Sequence, residues 1–156
     1  MPARAEVKAL PLFNVLSFMS DKLLTVGNTV AALDELYIWL SNPTAIEYIR
    51  NCLKRVRKKE SAMLLASQNL EDFDQEQVRE MTKPLFSIPP HQFLFNAGSV
   101  DKKFYMDNLQ LEPAEFELIR YPQRGVCLYR CGNERYLLEV HAPPYKEKLF
   151  GTAGGR

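Results

Sequence analysis

The chain has 156 residues, 46% hydrophobic and 25% charged, with a net charge of +1. This is the composition of a globular domain with length for one real core, and it excludes a disordered chain or a global field that recruits nucleic acid or membrane. Cys52, Cys127 and Cys131 are too few and odd in number for a disulfide framework, no run reaches the ~18 to 20 apolar residues of a membrane span, and "MPARAEVKAL" lacks a signal-peptide layout, so the chain reads as soluble and cytoplasmic.

Residues 11 to 26, "PLFNVLSFMSDKLLTV", place Leu12, Val15, Leu16, Met19 and Leu23 at helical spacing, with Pro11 suited to a first turn. Gly27-Asn28 supplies a stop. "TVAAL" follows as a buried strand ending on the acid pair Asp34-Glu35. Asn42 is then an N-cap with Pro43 at the first helical position, ahead of an apolar stripe of Ala45, Ile46, Ile49, Cys52, Leu53 and Val56. That helix closes on "KRVRKK", residues 54 to 59, whose cations suit the carboxyl end of a helix dipole. "SAMLLASQN" is a second run of strand length, with polar residues Ser67, Gln68 and Asn69 at its end.

Asp74 with Gln77 resembles a capping box that opens a short helix through about Met81, and Pro84, Pro89 and Pro90 make the next segment a loop. "HQFLFNAG" reads as a third strand, residues 101 to 108 as a short helix or turn, and "LEPAEFELIRY" as another short helix. "RGVCLYRCGNERYLLEV" reads as two strands joined by a hairpin at Gly132-Asn133. Cys127 and Cys131 share one face there, with no second Cys or His pair to complete a zinc site. "KEKLFGTAGGR" reads as a fraying end.

Strands alternating with helices predict an α/β fold: one domain over residues 1–156, with a parallel sheet, helices on both faces and a C-terminal β-hairpin. Such sheets carry their chemistry at the carboxyl ends of the strands, where Asp34-Glu35 and Gln68 both fall. The acid pair has two readings. It is the polar first turn of a following helix, or it is a Walker B motif. In the second reading the Asp helps to hold Mg²⁺ and the Glu polarises the water that attacks the γ-phosphate. Gln68 likewise is a plain polar strand end, or an amide that donates to a γ-phosphate and accepts from the attacking water.

"NTVAALDELYIWLSNPTAIEYIRNCLKRVRKKESAMLLASQNLEDF", with "HQFLFNAG", "ELIRYPQRGVCLYRCGNERYLLEV" and "FGTAGGR", resembles the conjugative-transfer ATPases that energise type IV secretion on Gram-positive mobile elements. The resemblance implies a RecA/HerA-like P-loop ATPase that works as a hexamer at the inner face of the membrane, uses ATP and Mg²⁺, and meets the channel proteins of the transfer machine. It implies that Asp34 is the Mg²⁺-side acid, Glu35 the catalytic base and Gln68 the γ-phosphate sensor. It offers Arg55 and Arg57 as candidates for an arginine finger reaching a neighbouring subunit, and Arg124 for a weaker phosphate-facing role.

No G-x-x-x-x-G-K-[ST] occurs; the glycines stand at 27, 98, 125, 132, 151, 154 and 155. Without inward-facing N–H groups at a helix start and the lysine charge, a triphosphate loses most of its binding energy. The chain is therefore expected to be the C-terminal half of the ATPase domain, from the Walker B strand onward, truncated and inactive until an N-terminal half or an intact homologous subunit completes it. Loss of the central P-loop strand predicts either two sheet pieces or a collapsed contact between the strands near 62–67 and 91–96. Two other classes stand beside the ATPase fragment: a non-catalytic module that docks on an intact hexamer, and a DNA contact through "KRVRKK" that is salt-sensitive and sequence-blind.

Overall fold

The computed structural model describes residues 3–68, 73, 78–96, 102–121 and 123–151, with side chains from Pro11 onward, Phe104 excepted. It divides into two compact units, Met1–Pro89 and Pro90–Arg156.

In the first unit, helix α1 spans Ala3–Asp21 and continues through a π-helical turn, Lys22–Val26. The helix thus begins earlier than the proline suggests, and Pro11 lies inside it. Leu16, Met19, Leu23 and Leu24 are buried, while Val15 is exposed. Gly27 ends the turn at φ +78°, its N–H donating to the Lys22 carbonyl at 2.9 Å. A Cβ at this position would stand 2.8 Å from the Lys59 carbonyl oxygen, so the site takes glycine on both counts.

Strand β1, Val30–Leu33, leads through a one-turn helix α2, Tyr37–Leu40, into α3, Pro43–Arg55. The Asn42 side-chain oxygen accepts from the N–H groups of Thr44 (2.9 Å) and Ala45 (3.3 Å), and Pro43 sits at the first turn, which is why α3 starts there. Ala45, Ile46, Ile49 and Cys52 form its buried stripe. A 3₁₀ turn, Val56–Lys59, carries most of the basic run, and strand β2, Ala62–Leu65, follows. Strands β1 and β2 pair in parallel, with Val30 opposite Ala62 and Leu33 opposite Leu65.

Ala31, Leu33, Met63 and Leu65 pack into the core that α1 and α3 share. Val30, Ala32, Ala62 and Leu64 point the other way and are exposed. Strand β1 is therefore covered on one face, where the sequence predicted burial and helices on both. Helix α4, Arg79–Ser87, contains Pro84, which the sequence had assigned to a loop. Its buried Thr82 hydroxyl donates to the carbonyls of Phe73 (2.8 Å) and Arg79 (3.0 Å). The expected capping box at Asp74 and Gln77 lies outside the described residues.

In the second unit, β3 (His91–Leu94), β4 (Val126–Cys131) and β5 (Glu134–Glu139) form an antiparallel sheet in the order β3-β4-β5. Strand β3 therefore belongs to an antiparallel sheet and not to the parallel one, and it does not pair with β2. Of the two outcomes expected for a sheet without its central strand, the strands described fall into two sheet pieces. The hairpin between β4 and β5 is present, with Gly132 at φ +59°, the sign that a two-residue loop needs at this position.

Helices α5 (Lys102–Leu109) and α6 (Pro113–Ile119) lie between β3 and β4 in the chain, α6 opening on a capping box of Glu112 and Glu115. Arg130 donates to the Leu109 carbonyl, and Arg135 pairs with Glu115 at 3.1 Å. The expected fraying tail is helical in part: α7, Pro144–Phe150, buries no residue.

Candidate functional site

The carboxyl ends of β1 and β2 are stitched together by backbone bonds. The N–H of Ala66 donates to the Leu33 carbonyl and that of Leu36 to the Ala66 carbonyl, each at 2.9 Å. Between them the chain turns sharply at Asp34 and Glu35. Asp34 Oδ1 accepts the N–H of Glu35 at 2.9 Å, and Glu35 takes φ +53°. A glutamate in the left-handed region is uncommon, because its Cβ crowds the carbonyl that follows. Strain of this kind concentrates at working sites.

The stitching brings Gln68, two residues past Ala66, beside the acid pair. Gln68 Nε2 donates to Glu35 Oε1 at 2.8 Å. Helix α2 begins only at Tyr37 and has no acidic residue in its first turn, so Asp34 and Glu35 are not helix-start acids. Asp34, Glu35 and Gln68 thus share one rim, the carboxyl edge of the parallel pair.

The cations expected to help stand elsewhere. Arg55 closes α3 and Arg57 lies in the 3₁₀ turn, both exposed. That turn flanks the start of the strands, where the N–H of Asn28 donates to the Lys59 carbonyl at 2.9 Å. The unit therefore holds them at the rim opposite Asp34 and Gln68. Arg124 belongs to the second unit, exposed beside β4, with Glu147 at 3.7 Å. Burial pushes the thiols of Cys52 and Cys127 up, which makes both weaker nucleophiles than an exposed cysteine.

Among the described residues no group of three or more His, Cys, Asp or Glu side chains converges as a metal cluster, while Mg²⁺ keeps several waters and takes only one or two carboxylates. Nothing described suits a triphosphate. The positive-φ glycines are Gly27, Gly125 and Gly132; the first follows a helix into a strand, the second precedes β4 and the third sits in the hairpin, so none opens a helix. Two elements of the rim had no sequence signal: the left-handed turn, because glutamate does not advertise it as glycine or asparagine does, and the Ala66 backbone that links the strand ends.

The first unit is thus a parallel strand pair joined by a crossover helix, with an acid pair and an amide on its carboxyl rim. The chain is similar to a solved structure, VirB4 of Thermoanaerobacter pseudethanolicus, with a TM-score of 0.79 and 30% identity over 88% of this chain. The match takes in 38% of the VirB4 chain, so the present chain spans well under half the length of the protein it resembles. No family model matches the chain, and no curated protein sequence matches it. No helix among the described residues is long and apolar enough to cross a membrane.

Proposed function

We propose that the chain is part of a type IV secretion ATPase of the VirB4 kind and supplies the Walker B and sensor side of a nucleotide site. The observation that carries this reading is the 2.8 Å bond from Gln68 to Glu35 on the rim that also holds Asp34. In this reading Asp34 holds Mg²⁺ through its water shell, and Glu35 orients a water and takes its proton. Gln68 holds Glu35 until its amide finds a phosphate oxygen to donate to. ATP and Mg²⁺, when bound, supply the scissile phosphoanhydride and the charge that neutralises its oxygens. Arg55 and Arg57 stand at the far rim of their own unit, so either one serves as a finger only toward another subunit.

In this reading catalysis belongs to the completed domain, formed with an N-terminal half or with an intact homologous subunit in a hexamer. The completed machine works at the cytoplasmic face of the membrane and powers transfer through the secretion channel. The test is phosphate release from ATP by the purified chain, alone and co-expressed with the part of Thermoanaerobacter VirB4 that lies outside the match. The expected result is no turnover alone, turnover together, and loss of that turnover in Glu35→Gln. Turnover by the chain alone, or a complex indifferent to Glu35→Gln, overturns the reading. A stable complex without turnover favours the non-catalytic docking module.

A further inference from the structure

In the second unit, Arg130 on β4 and Arg135 on β5 stand directly opposite each other. Both side chains are half-buried and both turn toward the segment of α5 and α6, Arg130 donating to the Leu109 carbonyl and Arg135 meeting Glu115. Like charges opposed across a strand pair destabilise it, and withdrawal from water raises the cost.

The pair is under-neutralised. Glu115 Oε1 stands 3.1 Å from Arg135 Nε, and Glu115 Oε2 accepts the N–H of Glu112 at 2.9 Å, so each oxygen already has a partner. The Leu109 carbonyl closes α5 and offers Arg130 at most the roughly half charge of a helix terminus. Burial pushes the Arg130 guanidinium below its ordinary range and the Arg135 charge pushes it further, against a smaller opposing pull from Glu115. Arg130 Nε is buried with no acceptor among the described residues. Arg135 Nη1 reaches the carbonyls of Gly132 and Glu134 only at 3.5 and 3.4 Å. Buried charged donors left in this state are costly, and they mark a place for a water or an ion.

We infer that Arg130 and Arg135 form a binding site for a phosphate group, held between the two guanidinium forks. A guanidinium presents its N–H groups as a planar fork that fits two oxygens of a phosphate. A tetrahedral group can meet two forks at once. A carboxylate has both oxygens in one plane and serves one fork, as Glu115 serves Arg135. A phosphate group also carries roughly one to two negative charges at neutral pH, enough to cancel the excess and turn repulsion between the arginines into shared attraction. The Arg135 side chain keeps 28% of its surface open to water, which gives the anion an approach. This site lies wholly within the second unit and does not depend on the Asp34, Glu35 and Gln68 rim. Its ligand is free phosphate or the phosphate of a nucleotide.

The test titrates inorganic phosphate into the full chain at constant ionic strength and follows the backbone amide signals of residues 126–139 by NMR. A second arm uses ATP without Mg²⁺, and chloride and acetate serve as controls. The expected result is a saturable shift of these signals by phosphate, with a Kd of about 1 mM or tighter. Binding should weaken about tenfold or more in Arg130→Gln and in Arg135→Gln. Arg130→Lys keeps the charge but loses the fork, so it should weaken binding too, and it decides the matter if Arg130→Gln does not fold. Lys148→Gln, on the exposed helix α7, should bind as the wild type does. ATP that shifts the same signals more tightly than phosphate makes a nucleotide the ligand, and the reverse order makes it free phosphate. The absence of a saturable shift overturns the inference. So does an equal response to acetate or chloride, which is charge screening alone, or arginine variants that bind as tightly as wild type.

Discussion

Glycine normally destabilises a folded chain relative to alanine; at position 35 the order should invert. Glu35 holds φ +53° at the end of β1. A side chain with a Cβ in that region costs about 1 to 2 kcal/mol. Glycine removes that cost but adds about 0.5 to 1 kcal/mol of backbone entropy to lose on folding. Glu35→Gly and Glu35→Ala both lose the Gln68 hydrogen bond, so this loss cancels in the comparison. At mid-range the balance leaves Glu35→Gly more stable than Glu35→Ala by about 0.75 kcal/mol, or roughly 2 to 3 °C in Tm for a chain of this size. Urea and thermal unfolding of the two variants side by side measure the difference. Both variants lack the carboxylate, so both should fail in the completed ATPase, which divides stability from activity at one residue. An alanine variant as stable as the glycine one would refute the strained turn and the site geometry built on it.

Replacing Thr82 by valine keeps the shape of a buried side chain but leaves the Phe73 carbonyl without its hydroxyl donor. Chemical unfolding should show a loss of about 1 to 2 kcal/mol. Tyr105 gives a pH signature: burial pushes its phenol up to about 12, above the ordinary value near 10 that it regains on unfolding. Its contribution is therefore intact below about pH 10 and is lost as pH rises toward 12, a change of about 2 to 3 kcal/mol. Unfolding at pH 9 and pH 11 should show a smaller drop for Tyr105→Phe than for wild type.

Local chemistry was legible where a residue has one physical use. Asn42-Pro43 marks a helix start because the amide caps and the ring suits the first turn, and α3 begins there. Gly27 and Gly132 mark reversals because their backbones take positive φ, and both do. The acid pair and the amide were legible as strand-end residues, and the backbone stitching places them on one rim.

Pro84 and Pro11 misled, because a proline is tolerated inside a helix when neighbouring packing holds the turn, and that packing is tertiary. The bare face of β1 was illegible for a different reason. A short apolar run reads the same whether both its faces meet protein or one meets water, and Val30 and Leu64 carry no polar mark of exposure. The antiparallel place of β3 depends on pairing with β4, more than thirty residues further along the chain, which no local pattern encodes.

The strands of the first unit run between a rim that carries Asp34 and Glu35 and a rim that carries Lys54, Arg55, Arg57, Lys58 and Lys59. Such a body is electrically lopsided along its strand axis, whatever its net charge. Two of them attract when the acidic tip of one faces the cationic tip of the next, and repel when like tips meet. Added salt should weaken that preference within a Debye length of about 10 Å at 0.1 M.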